Sequence, residues 1–275
     1  MKTIVLTGAS DGIGAAAAAH LTRDGHRVLL VGRTESKLAP IAEKLKAPYF
    51  VADYERLSDV RRLAAELRAA TDRIDVLANN AGGIFHGPLL TEDGFERTFQ
   101  VNHLAAFLLV HELMDLLLAS RAAVINTSSA AAKTMAGTID LDNLDLHDGF
   151  ATWRAYGNAK LANILFARGL HARYHEEGIS AMAFHPGVIA SNFGADIAGP
   201  VRVAYHSLVR VVLTSAVRGG ATLAHWIEGT PGETWQSDHF YTSSWKLGTT
   251  NPQAWDDALV RAHWDASAAL LGLTD

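Results

Sequence analysis

Thr7-Gly8-Ala9-Ser10-Asp11-Gly12-Ile13-Gly14 follows the apolar run Thr3-Ile4-Val5-Leu6 and opens onto five consecutive alanines, Ala15 to Ala19. Gly8 suits a tight turn, Gly12 removes a β-carbon where a pyrophosphate would approach, and Gly14 lets a helix pack closely on a strand. The first-turn N–H groups and the positive end of the helix dipole would then face an anion. Ser10, Asp11 and Ile13 complete this loop as candidate dinucleotide contacts. Taken alone, the glycines also fit a turn that binds nothing. The alanine run reads either as plain helix propensity or as small side chains for close approach to a sheet.

Beyond this loop, short apolar runs alternate with longer stretches of helical period. The pattern predicts strands at 3–7, 28–32, 49–52, 74–79, 122–127, 179–185 and 239–243. Helices are expected at about 13–23, 35–46, 56–70, 91–119, 152–176, 217–228 and 252–271. Buried strands separated by helices make a parallel sheet covered on both faces. With no linker composition and no repeat, the expectation is one Rossmann-type doubly wound α/β domain, residues 1–275, on a seven-stranded parallel sheet.

Composition narrows the function. The 275 residues are 49% hydrophobic, enough for a sizeable core, and a net charge of -5 offers no basic surface for nucleic acid. The absence of cysteine excludes a thiolate nucleophile and a cysteine zinc site, and fits a cytoplasmic location. The first apolar stretch is too short for a signal peptide or a membrane span.

At the end of the second strand, Leu30-Val31-Gly32-Arg33 lacks the carboxylate that would meet a ribose 2′-hydroxyl. Arg33 stands there instead, and its fork suits a 2′-phosphate, so NADP is expected over NAD. A solvated arginine at a helix start is the competing reading, and Lys37 is either a helper or surface charge. Asp53, ending the third strand, is placed for an adenine edge or for a turn.

Tyr156-Gly157-Asn158-Ala159-Lys160 puts a phenol and an ammonium one helical turn apart. A nearby cation lowers the pKa of a tyrosine, ordinarily about 10, toward one useful for proton transfer. Asn79-Asn80-Ala81-Gly82, Val101-Asn102-His103 and Ile125-Asn126-Thr127-Ser128-Ser129 fall at strand ends or on a facing helix, where ligands of open α/β sheets bind.

This ordered set of motifs resembles the short-chain dehydrogenase/reductase family over nearly the whole chain. The resemblance implies an oxidoreductase with a catalytic tetrad of Asn102, Ser129, Tyr156 and Lys160. Tyr156 would exchange a proton with the substrate oxygen and Ser129 would hydrogen-bond it. Lys160 would lower the tyrosine pKa and bind the nicotinamide ribose, and Asn102 would hold a water of the proton relay. Ser129 is chosen as the second serine of its pair, with Ser128 the alternative. The resemblance also implies cofactor contacts at Asn80, Ala81 and Gly82, and at Pro186, Gly187, Ile189 and Ser191, where the family usually has threonine in place of Ser191.

A longer spacing between Ser129 and Tyr156, with a polar stretch at 138–152, resembles the branch holding retinol dehydrogenases, protochlorophyllide reductases and bacterial ketoreductases. That implies a bulky hydrophobic ketone, aldehyde or alcohol as the small-molecule partner. Apolar residues of 138–152 and of the segment 192–213 would wall the pocket, or would pack on each other. The segment 192–213 reads as a substrate lid more readily than as a membrane-surface helix. No metal is expected: His171 and His175 lack a zinc-protease pattern, and the aspartates at 140, 142, 145 and 148 lack a calcium-loop pattern. A homo-oligomer is compatible with the sequence. The alternatives are a catalytically silent dinucleotide sensor, which intact Ser129, Tyr156 and Lys160 argue against, and a nucleotide-sugar epimerase or dehydratase, which needs more chain after Ser191.

Overall fold

The computed structural model describes residues 1–187 and 216–273. Seven strands form one parallel sheet in the order β3-β2-β1-β4-β5-β6-β7: β1 Thr3–Thr7, β2 Arg27–Gly32, β3 Tyr49–Val51, β4 Val76–Asn79, β5 Ala123–Thr127, β6 Ser180–Phe184 and β7 Phe240–Tyr241. The order reverses between β1 and β4, so their carboxyl ends diverge and leave a crevice there. Every strand expected from the sequence is present, though β7 is shorter.

Apolar residues on alternate positions feed two cores, one per face. On one side Ile4, Leu6, Leu30, Ile125 and Phe184 meet α1 Gly12–Arg23, α2 Glu35–Leu45 and the helix Ala216–Glu228. On the other side Val5, Leu29, Leu77 and Val124 meet α3 Leu57–Ala70, α4 Arg97–Glu112 and the helices Thr152–Tyr174 and Asp257–Leu270. The remaining helices are α5 Met114–Ser120 and α6 Ala131–Thr134, so those three become α7 (Thr152–Tyr174), α8 (Ala216–Glu228) and α9 (Asp257–Leu270).

The structure departs from the expected helices in three places. The helix expected at 91–119 starts only at Arg97, because Gly94 turns the chain with φ +88° and Glu96 caps the first helical turn. It then widens into a π-helical turn at Gln100–Leu104 and bends by 67° between α4 and α5. The helix expected at 252–271 is a short 3₁₀ turn, Pro252–Trp255, followed by a fresh start at Asp257, since the side chain of Asp256 accepts from Ala258 and Leu259 N–H. The alanine run serves the approach of another helix: a β-carbon on Gly220 of α8 would come 2.8 Å from Ala17 N and touch Ala16. Lys2 reinforces this contact, donating to the carbonyls of Ile227, Glu228 and Gly229 at the end of α8.

Among the described residues no single helix is long and apolar enough to cross a membrane. The 138–152 stretch is anchored rather than free: Asp145 accepts the Glu96 N–H at 3.0 Å and Gln253 accepts the Ile139 N–H at 2.9 Å. Ile139 and Leu144 enter the core and Leu146 is buried, while Leu141 and Trp153 stay exposed. Ile139 and Leu144 therefore pack into the main core and not only against other residues of their own stretch.

Candidate functional site

The glycine loop is built for close approach. Gly8 and Gly12 adopt φ +68° and +53°, which side chains disfavour. A β-carbon on Gly14 would stand inside contact distance of the Gly8 carbonyl oxygen, so the start of α1 lies directly on the turn. Asp11 caps α1, its carboxylate accepting Gly12 N–H at 2.7 Å, and Ile13 packs partly buried on the nearby core. A β-carbon on Gly32 would come 3.1 Å from Ser10, which explains in steric terms why β2 ends without a side chain.

Asn80 and Ala81 hold that turn from behind. Both backbone N–H groups donate to Thr7 Oγ1, at 2.9 and 3.0 Å, and the Asn80 amide donates to the Thr7 carbonyl at 3.0 Å. Thr7, fully buried, is a residue that the motif reading passed over; its position at the last residue of β1 was the available signal. Asn79 is buried and donates to Asn126 across β4 and β5 at 2.9 Å.

Two candidate adenosine contacts are already engaged. Asp53 accepts Glu55 N–H at 3.1 Å, the turn that was its competing reading. Arg33, half-exposed, is paired with Glu55 at 3.0 Å, so it is not simply a solvated arginine. Lys37 is exposed.

At the other end of the crevice Tyr156 and Lys160 lie on α7, with the Lys160 Nζ 5.7 Å from the tyrosine ring centroid. Lys160 is 2% exposed and donates to the Thr127 carbonyl at 3.3 Å. Desolvation alone lowers its pKa to about 7. Ser128 is buried and donates to the Lys160 carbonyl at 2.6 Å, so its hydroxyl is spent on the core. Ser129 is only partly buried; its Oγ accepts Ala131 N–H at 3.2 Å, which leaves its proton for another partner. Of the two serines, Ser129 is thus the one with a donor to offer.

Asn102 sits in the π-helical turn. Its Oδ1 accepts Gly83 N–H at 3.1 Å, and its Nδ2 donates to the carbonyls of Gly83 and Thr98 at 2.9 and 2.8 Å. Both amide protons are spent on backbone, so the side chain positions the Gly82–Gly83 loop, and any relay water must be held by other atoms or by the remaining Oδ1 lone pair. A β-carbon on Gly82 would collide with Asn102 Oδ1 and lie 3.1 Å from Lys160 Nζ, which brings all three residues to one point. Pro186 is buried and Gly187 has φ +100° at the end of β6; Ile189, Ser191 and the segment 192–213 lie outside the described residues.

A nicotinamide dinucleotide fits this arrangement on two counts. The first turn of α1 lies directly on the glycine turn at the carboxyl end of β1, where its N–H groups suit a phosphate, and Lys160 is a buried ammonium with no carboxylate beside it among the described residues. The rings of His171 and His175 lie 4.3 Å apart and tilted by 30°, and the His171 Nδ1 meets Ser237 Oγ at 2.9 Å.

The sequence pattern of the short chain dehydrogenase family matches residues 2–141. A Streptomyces sp. (strain C5) protein named for daunorubicin C-13 ketoreductase activity is 37% identical over 99% of this chain and 93% of its own length. Retinol dehydrogenase 14 of Mus musculus is 32% identical over 99% of this chain and 86% of its own. Among solved structures, the Pseudomonas aeruginosa RhlG/NADP active-site complex superposes with a TM-score of 0.69 at 26% identity, covering 88% of this chain and 94% of that one.

Proposed function

Because this chain belongs to the short-chain dehydrogenase family, we propose that it is an NADP-dependent oxidoreductase that interconverts a bulky hydrophobic ketone or aldehyde and its alcohol. The observation that carries this reading is Lys160, buried next to Tyr156 and beneath Gly82 with no carboxylate partner among the described residues. Bound in the glycine cradle, the dinucleotide would supply the hydride. Tyr156 hands its hydroxyl proton to the substrate oxygen in the reducing direction and takes it back in the oxidising one. Ser129 donates its free proton to the same oxygen and fixes it. Lys160, once ribose hydroxyls replace part of its lost hydration, carries the positive charge that favours the phenolate. Asn102 keeps Gly82 and Gly83 in place beneath the reacting centre. Asn80, Ala81 and the 8–14 loop receive the pyrophosphate side, and Arg33 receives the 2′-phosphate.

Substrate size is supported by the exposed Leu141, by the exposed Trp153 in the first turn of α7, and by the names of the relatives, which point to a polycyclic ketone and a retinoid. The test is NADPH oxidation with daunorubicin, retinal and a homologous series of alkyl ketones. The expected outcome is kcat/KM rising by up to about 0.8 kcal/mol per added methylene until the pocket is filled. A flat series, with small polar carbonyls preferred, removes the substrate reading; NADH preferred over NADPH removes the cofactor reading.

A further inference from the structure

Glu55 places one carboxylate oxygen between two arginines. Its Oε1 lies 3.0 Å from Arg33 Nη1 and 2.6 Å from Arg97 Nη2. The three groups differ in freedom. Glu55 is held twice, its backbone N–H donating to Asp53 and its side chain paired with Arg97. Arg97 is held in turn, its guanidinium 4.3 Å from the Phe85 ring centroid and its side chain only 22% exposed. Arg33 is 54% exposed and reaches Glu55 through a single nitrogen. Arg33 is therefore the partner that can leave, and Glu55 the one that stays.

We propose that Glu55 is a specificity-determining residue: a fixed countercharge, shared with Arg97, that weakens the hold of Arg33 on a phosphate at the ribose 2′ position and so sets how strongly the phosphorylated dinucleotide is preferred. This rests on the reading of Arg33 as the 2′-phosphate contact. With Glu55 ionised the trio carries one net positive charge; without it, two. A 2′-phosphate arriving at Arg33 meets the carboxylate at close range, and like charges there act against binding. A dinucleotide lacking that phosphate makes no such encounter. Arg97 has the opposite influence, since it takes up part of the charge of Glu55 that would otherwise fall on Arg33.

The experiment measures binding of 2′,5′-ADP and of 5′-AMP by calorimetry, at low and at physiological salt, in the full chain and its variants. Glu55→Gln is expected to tighten 2′,5′-ADP about tenfold and to leave 5′-AMP within about twofold. Arg97→Met is expected to weaken 2′,5′-ADP and to spare 5′-AMP. The two variants thus shift the same ligand in opposite directions, which general loss of structure does not do. If Glu55→Gln leaves 2′,5′-ADP unchanged, weakens it, or tightens both ligands equally, the proposal is overturned. Arg33→Ala separates the two levels: if it fails to weaken 2′,5′-ADP relative to 5′-AMP, the cofactor reading falls, whatever Glu55 does.

Discussion

Tyr156 and Lys160 share a helix turn but are proposed to have different jobs, which substitution would separate. Tyr156→Phe removes only a hydroxyl, so turnover should fall by about 10²- to 10⁴-fold while NADPH affinity, read by fluorescence titration, stays within about twofold. Lys160 has a distinct signature in the protein without dinucleotide. Its folded pKa of about 7 lies below the ordinary 10.5, so between those values the unfolded chain binds the extra proton. Stability must therefore rise with pH across that window. Urea unfolding of the dinucleotide-free protein at pH 7, 8.5 and 10 should show this rise, and Lys160→Met should remove most of it, leaving the smaller contribution of part-buried Lys2, and be more stable at pH 7. An undiminished slope in Lys160→Met would assign the effect elsewhere. At this scale the sequence was legible where chemistry is local to one element, as with the spacing of Tyr156 and Lys160. It was silent where a partner comes from elsewhere. Nothing in the order of residues pairs Arg33 with Glu55, or spends the Asn102 amide on Gly83, because those contacts arise only once the ends of β2 and β3, and of β4 and α4, are brought together.

Among the elements, α4 shows most clearly what periodicity misses. The apolar spacing announced a helix through 91–119, yet the first turn of that stretch is a loop closed by Thr91 and Gly94. The real start is Glu96, whose buried carboxylate accepts Thr98 and Phe99 N–H at 2.8 and 3.1 Å. Burial raises its pKa, opposed by those same bonds. Glu96→Ala should lower stability by about 1–2 kcal/mol in urea unfolding, the usual loss for a helix cap. Glu96→Gln, which keeps an acceptor and sheds a buried charge, should lose less than half of that. Equal losses in the two variants would show that charge, and not capping, is what matters. Because α4 carries Asn102, Glu96→Ala should also raise KM for the dinucleotide, whereas substitution of the exposed Glu92 should not. The sheet itself was far easier to foresee, since a run buried on both faces has to be apolar through its middle, as residues 4–6, 28–31, 76–78, 123–125 and 181–184 are.

Across the whole molecule, acid sensitivity has an internal source. His103 and His263 lie fully buried with ring centroids 5.0 Å apart, packed among Phe99, Phe107 and Phe166. Desolvation lowers both pKa values, that of His263 to about 4. The unfolded chain protonates first, so stability should be lost as pH falls from about 6.5 toward 4. His263→Leu should flatten part of this loss, seen as a smaller drop in Tm between pH 7 and pH 4.5 than in the parent; an equal drop would place the acid lability outside His263, in His103 or the carboxylates. The contact between α1 and α8 acts over a longer range still. The helix behind the glycine loop leans on residues more than two hundred positions away, and Lys2 is bonded to the carbonyls of Ile227 to Gly229. During synthesis the first strand and helix emerge first but reach their final packing last. A nascent chain that ends before Ala216 has the glycines of its phosphate loop and the brace of Asn80 and Ala81 but lacks α8 behind α1, so the last support of that loop arrives late in translation.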